Sequence, residues 1–325
     1  MPIPKPNKNE PRGDYMGRCV RFLLNEGTPN EQAIAICYNT YRDENRKKIQ
    51  QDYIEWKTID SKRKALEPFA ERVFTKALKI QLKQYLDEVE RTGSIDFDLE
   101  GIVTDEPIDS AYTEVYERII PMFAIDSFNQ LQKTQKKAKT NWRAIARRWL
   151  RQSDTTDKIV RVSKTTRKRI RKQVVLGLKD GTSIPNFAKT VSNDYGFSKK
   201  RGRLIGRTEM VSASNAGSLL GAQESGVPFI KKWLSTMDDR TRGLKGGFFD
   251  HWSMSGRSAD AQGFFNVSGE LMQYPGDSSQ ASAGNTINCR CTLTYEPIIP
   301  EEIFDAGFDI GLGFGLSGML DDSDI

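Results

Sequence analysis

Apolar residues along this chain recur mostly at steps of three and four, a pattern that predicts a molecule built largely of helices. From Asp14 to Tyr41, the residues Tyr15, Cys19 and Phe22 or Leu23 share one face, Gly27-Thr28-Pro29 interrupts, and Ala33, Ile36 and Cys37 resume the pattern. That predicts a helical hairpin too short to be stable unless it docks on something. Over residues 58 to 91 the spacing of Leu66, Phe69, Val73, Ala77 and Ile80 predicts the clearest long helix, with Pro68 near its first turn. Past a linker with Gly93 and Gly101, Tyr112, Val115, Tyr116 and Ile119 predict a second helix that Pro121 bends or ends. Trp142, Ile145, Ala146, Trp149 and Leu150 predict a third.

The second half changes character. A helix is expected from near Ser163 or Thr165, and another opened by Ser183 with Pro185 in its first turn. A third should run from Ser198 to a stop at Gly226, its small residues Ala213, Ala216, Gly217 and Gly221 suiting close packing. FIKKWLST, GFFNV and CRCTLTY then read as short strands, with Pro275-Gly276-Asp277 a turn. The fold class expected is α+β: a long, mostly helical N-terminal half followed by a compact α+β domain with a small antiparallel sheet. The organisation expected is a flexible, proline-rich leader over 1–13, a hairpin module over 14–45 and an extended helical region over 46–160. The compact domain would cover 161–298 and an acidic, glycine-rich tail 299–325.

Composition narrows this only in part. With 37% hydrophobic and 28% charged residues and a mean hydropathy of −0.58, the chain reads as polar and partly extended. It has no apolar run of about 18 residues and no secretory start, so the expectation is a protein made and kept in the cytosol, with no membrane partner. Four cysteines, Cys19, Cys37, Cys289 and Cys291, are too few for a disulfide scaffold and are expected as thiols or ligands. Charge is the stronger signal: residues 133 to 172 hold sixteen lysines and arginines against two aspartates, a local +14 that leaves −8 for the rest of a +6 chain. Such blocks favour a polyanion or acidic partner in the middle and a basic partner at the acidic end.

One ordered set of motifs is more specific. Arg207-Thr208-Glu209, Ala216-Gly217, Gly226, Lys232-Trp233, Asp238-Asp239-Arg240-Thr241-Arg242, His251, Gly269, Pro275-Gly276-Asp277 and Asn288-Cys289-Arg290-Cys291 follow one another. In that order, across Leu176 to Tyr295, they resemble the Mu F-like phage head-morphogenesis proteins, which are minor head or minor capsid proteins. The resemblance implies a minor capsid protein of a tailed bacteriophage, taken up at few copies during procapsid assembly. It implies the portal protein and the major capsid or scaffolding protein as partners, a place in the virion at the head interior or portal vertex, and no cofactor. Packaged double-stranded DNA would be a further partner. Some relatives fuse this domain to toxins.

The motif residues can be weighed as chemistry. Cys289, Cys291 and His251 offer three metal ligands where zinc usually takes four, so they are weak metal candidates, expected instead as small buried groups. Arg290 is expected to face outward on a strand and to pair with Asp238 or Asp239. Arg207, Thr208 and Glu209, with Ser212 and Ser214, could be imagined as the nucleotide site of an ADP-ribosyltransferase delivered with the genome. The downstream ExE is missing, however, and adjacent Asp238 and Asp239 would point to opposite sides of a strand. The preferred reading is a structural network of Arg207, Thr208, Glu209, Trp233, Asp238, Asp239, Arg240, Arg242, His251, Asp277, Asn288, Cys289, Arg290 and Cys291, in a protein that is not an enzyme. For DNA, as a packaging or ejected protein, the candidates are Lys136, Lys137, Arg143, Arg147, Arg148, Arg151, Arg167, Lys168, Arg169, Arg171 and Lys172. In the tail, Phe304, Phe308 and Phe314 are aromatic among glycines and acids and are expected to dock on a partner.

Overall fold

Where the apolar stripes lie decides which helices meet. The computed structural model describes residues 3–7, 10–132, 140–236, 238–243 and 246–298. Its helices are α1 (Arg12–Asn25), α2 (Asn30–Glu44), α3 (Arg46–Thr92), α4 (Glu106–Leu131), α5 (Trp142–Gln152), α6 (Thr155–Lys179), α7 (Ile184–Ser192), α8 (Lys199–Glu224) and, late in the chain, the single turn α9 (Ala283–Thr286). Its strands are β1 (Phe229–Leu234), β2 (Ser258–Asp260), β3 (Phe265–Val267), β4 (Glu270–Met272) and β5 (Thr292–Pro297). The fold is α+β, helices first and small antiparallel sheets after. Among the described residues no helix is long and apolar enough to cross a membrane.

Helix α8 organises the molecule. Ser198 caps it by accepting from the Arg201 amide, and left-handed Gly226 (φ +68°) follows its last residues. Two glycines let α3 approach on one side: a Cβ on Gly202 would fall 2.1 Å from Thr75 Oγ1, and one on Gly206 would fall 3.0 Å from the Ala70 carbonyl carbon. Two more admit α4 on the other: a Cβ on Gly217 would meet the Ile120 carbonyl oxygen at 2.6 Å, and one on Gly221 the Ala124 carbonyl oxygen at 2.0 Å. Around these contacts Leu66, Ala70, Phe74, Tyr112, Tyr116, Ile119 and Met210 form one core. Residues of the region expected over 46–160 share this core with Met210 and Ala213 of α8. The sheet covers another part of α8. It runs β2-β1-β5, with Trp233 opposite Leu293 and Ile230 opposite Asp260, and its Phe229, Trp233, Leu293 and Tyr295 pack on Val211, Ala216 and Leu219.

Several boundaries differ from the expectation. Helix α3 starts at Arg46, not residue 58, and Pro68 lies deep inside it. Pro68 and Lys64 are both exposed, so the Lys64 carbonyl that loses its partner is on the solvent side, while buried Leu66 and Ala70 hold the helix across the gap. The polar run before residue 58 extends the helix because each further residue adds one hydrogen bond to an existing nucleus. Helix α4 likewise passes through Pro121 to Leu131, and α6 starts at Thr155 rather than near Ser163. β5 begins at Thr292, so Cys289, Arg290 and Cys291 lie in the loop before it.

The N-terminal hairpin does dock. Buried Tyr15, Cys19 and Leu23 of α1 meet Ala33, Cys37 and Tyr41 of α2. Arg12 donates to the Trp252 carbonyl and lies over the Trp252 ring at 3.7 Å, while Arg257 pairs with Asp14. Ahead of the hairpin, the Pro4 carbonyl accepts from Tyr15 Oη and the Lys5 carbonyl from Arg18. The expectation of free thiols fails at Cys19 and Cys37, which form a disulfide with Cα atoms 5.9 Å apart. Compartment-based reasoning missed it because facing helical stripes, not cysteine count, brought the two together. With 18 residues of separation, Cys19→Ser is expected to destabilise the hairpin by about 3 kcal/mol, seen as loss of protease resistance in the N-terminal segment. Equal digestion of both proteins would refute this.

Candidate functional site

The motif residues converge on a polar cavity of about 460 Å³ between α3, the N-terminal half of α8 and the loops around β1 and β5. Its wall includes Asp60, Arg63, Arg207, Arg242, His251 and Cys289 to Cys291. The loop after β1 supplies one side. Asp238 accepts there from the Arg240 amide and from Thr241 Oγ1, and Thr236 and Thr241 hydroxyls lie 2.6 Å apart, so this is a hydrogen-bonded turn rather than a strand. Adjacent Asp239 is exposed.

Left-handed Asn288 (φ +56°), whose amide donates to Thr208 Oγ1, turns the chain into the Cys289-Arg290-Cys291 segment. The two cysteines are buried, while Arg290 between them is partly exposed. Arg290 clamps Asp238 at 2.6 and 2.7 Å, and its own carbonyl accepts from Trp56 Nε1 at 2.9 Å. The guanidinium, chiefly through its hydrogen bonds, holds the Asp238 carboxyl well below the usual aspartate range. A carboxylate with a depressed folded pKa stabilises the fold above its unfolded value of about 3.9, and that contribution is lost as pH falls below it. Arg290→Ala is therefore expected to cost about 1–2 kcal/mol at pH 7, because the pair is partly screened by solvent. The gap from the parent urea midpoint should narrow below about pH 4. An unchanged midpoint at pH 7 would sink the assignment.

Beneath the cavity lies a residue that sequence reasoning missed. Arg63, buried on α3, donates from Nε to Ser214 Oγ at 2.7 Å, from Nη2 to Asn215 Oδ1 at 2.7 Å and Thr292 Oγ1 at 3.2 Å, and from Nη1 to the Cys291 carbonyl at 3.2 Å. Asn215 Nδ2 in turn donates to the Pro275 and Cys291 carbonyls. Burial brings the Arg63 pKa down to about 10, still charged at neutral pH. The signal was there: a charged residue three before Leu66 and seven before Ala70 stands on the apolar stripe of its own helix.

His251 and the two cysteines form the tightest group. All three are buried, their ligand atoms lie within 4.8 Å of one another, and His251 Nδ1 is 3.6 Å from each sulfur. The Cys289 thiol is pulled down to about 7, first by its hydrogen bond with Cys291, whereas burial pushes Cys291 up. His251 Nε2 lies 3.0 Å from Asn285 Oδ1, and the Trp233 ring meets the imidazole edge-on at 5.7 Å. These three are the described residues best placed to hold a metal.

The remaining motif residues are distributed. Arg207 faces Glu67 at 3.3 Å, while Glu209, two residues on, is buried away from it, accepting from Tyr116 Oη at 2.6 Å with Lys158 Nζ at 3.5 Å. Asp277 ties its own turn, accepting from the Gln273 and Ser279 amides. The cation block splits. Arg167 is buried on Asp105 and the Val103 carbonyl, which corrects its place among DNA contacts. Arg147 pairs with Glu117, Arg148 with Glu224, Arg169 with Asp194 and Arg171 with Glu100. Arg143, Arg151, Lys168 and Lys172 are exposed. Lys136, Lys137, Phe304, Phe308 and Phe314 lie outside the described residues.

This core of α6, α8, the sheet and the CxC loop coincides with a known family: residues 168–294 match the family model described as Phage Mu protein F like protein. This part of the chain is a Mu F-like domain. The family is one of phage head-morphogenesis, minor capsid proteins. A curated protein, the NAD(+)–arginine ADP-ribosyltransferase EFV of Enterococcus faecalis, is 29% identical over 133 residues, covering 39% of this chain and 26% of that protein. The chain thus matches about a quarter of that relative's length. No solved structure matches at a significant level. Within the Mu F-like domain, the motif residues around the cavity join loops to helices, and the ion pairs and hydrogen bonds above are what that joining consists of.

Proposed function

We propose that the chain is a minor capsid protein of a tailed bacteriophage that acts by binding, holding the portal protein and the major capsid or scaffolding protein together during procapsid assembly. The observation that carries this is the Mu F-like match over residues 168–294. The structure supports a binding role in one respect: Glu209, the acid of the Arg207-Thr208-Glu209 motif, is occupied by Tyr116 and Lys158 inside the helical core. Its carboxylate serves packing between α4, α6 and α8. The modules follow from the same reading: a docked hairpin, a helical body, the Mu F-like domain, and a tail whose phenylalanines engage a partner. The test is quantitative mass spectrometry of purified virions and of the same particles emptied of DNA, scaled to the portal protein. A few to a few tens of copies retained on emptying is the expected result, in keeping with a portal-proximal place in the head; absence from both particles would overturn it.

Two other readings have an observation behind them. Exposed Arg143, Arg151, Lys168 and Lys172 favour a packaging or ejected protein that touches DNA, for which the discriminating result is loss on emptying and affinity that falls steeply with salt. The relative named an ADP-ribosyltransferase favours a delivered transferase, for which the discriminating result is consumption of NAD by the purified chain.

A further inference from the structure

We infer that His251 Nδ1, Cys289 Sγ and Cys291 Sγ bind one zinc ion in tetrahedral geometry, with the fourth position facing the cavity and taken by water. The first argument is distance. A tetrahedral zinc with metal–sulfur bonds of about 2.3 Å and a metal–nitrogen bond of about 2.05 Å has nitrogen–sulfur edges of about 3.6 Å. Both Nδ1–Sγ distances here are 3.6 Å.

The second argument is proton bookkeeping on the histidine. Asn285 Nδ2 donates to the Val267 carbonyl at 3.0 Å and to Glu270 Oε2 at 2.7 Å, which fixes Oδ1 as the acceptor facing His251. His251 Nε2 therefore carries the hydrogen, and Nδ1 presents its lone pair to the two sulfurs. One lone pair can accept from one thiol, yet two sulfurs sit at equal distance from it. A cation at their centre satisfies all three atoms at once. The Asn285 contact is the outer-shell hydrogen bond that metal-ligating histidines make through their second nitrogen, and Trp233 fixes the plane of the ring.

The third argument is the donor set. Two thiolates and an imidazole suit zinc, and three protein ligands with an open position are the pattern of sites that keep a bound water. The cavity lined by all three residues gives that water room. On binding, the ion takes the sulfur and Nδ1 lone pairs, and each thiol that was protonated releases its proton to solvent.

The test uses the full chain, produced with zinc in the medium and dialysed without chelator. Elemental analysis is expected to find one zinc per chain. Cobalt titrated into the stripped protein should give the thiolate-to-cobalt charge-transfer band and the visible bands of tetrahedral cobalt, with an end point of one equivalent. Cys289→Ser and Cys291→Ser should each lower zinc content at least tenfold, and Asn285→Ala should weaken affinity about 10- to 100-fold. Gly17→Ala, on the exposed face of α1 with open space around the added carbon, should change neither. A parent protein with native helical circular dichroism that holds no zinc and gives no cobalt band overturns the inference. So does a folded Cys289→Ser protein that keeps its zinc, or a different metal at these ligands. Should the cysteine variants fail to fold, the cobalt titration of the parent chain decides alone.

Discussion

Arg63→Ala is expected to lower the unfolding free energy by about 3–5 kcal/mol, a larger effect than loss of the Arg290 clamp on Asp238. The side chain fills buried space, so its removal leaves a cavity, and it also removes charge-assisted donors from Ser214, Asn215, Thr292 and the Cys291 carbonyl. Asn215 Oδ1 keeps Thr292 Oγ1 as a donor and the Cys291 carbonyl keeps Asn215 Nδ2, so the loss stops short of complete orphaning. Arg63→Lys should recover only part of it, because an ammonium cannot span acceptors on α8, on β5 and on the loop before β5 as a planar fork does. Urea denaturation followed by tryptophan fluorescence reads this directly, since Trp56 and Trp233 lie beside the network. A midpoint within error of the parent for Arg63→Ala would show that α3 and β5 are held by apolar contact alone.

Gly221→Ala is the second. A methyl group there would sit 2.0 Å from the Ala124 carbonyl oxygen and 2.4 Å from Ser127 Oγ, and the first of these is backbone that cannot rotate aside. Helices α4 and α8 would have to separate, opening the contacts of Ile120, Phe123 and Met210 on the same seam, at a cost of about 2–3 kcal/mol. Gly17→Ala is the matched control. It lies on the exposed face of α1 with nothing within 4 Å of its added carbon, so the better helix propensity should leave stability unchanged or raise it by about 0.5–1 kcal/mol. Equal stability of Gly221→Ala and the parent would mean that the helices are not in backbone contact.

Periodicity located the helices because burying one stripe is a local property, written at steps of three and four. It placed Tyr15 and Cys19 on one face, Tyr112 to Ile119 on another, and the cap of α8 at Ser198, and it separated a helical first half from an α+β second half. Helix ends were less legible. The start of α3 at Arg46 depends on a polar run whose helical state follows from the helix it extends, and the passage through Pro68 and Pro121 depends on neighbours that hold both sides. The motif order pointed to the family, and the alternation of Cys289, Arg290 and Cys291 foretold that Arg290 would part from the sulfurs.

The sequence by itself therefore determined helices α1 to α8, the strands β1, β3 and β5, the resemblance to the Mu F-like family and the placement of small residues on α8, but not β2, β4 or α9. Tertiary structure alone decided the rest. Cys19 met Cys37 across a hairpin, Arg167 was drawn from the basic block into a buried pair, and α3 reached across more than two hundred positions to seat Arg63 under Cys291. The physical reason is the same in each case. Periodicity records which face of an element is buried, whereas a site is made by what lies against that face, and His251, Asn285 and the two cysteines become one cluster only when separate loops close over α8.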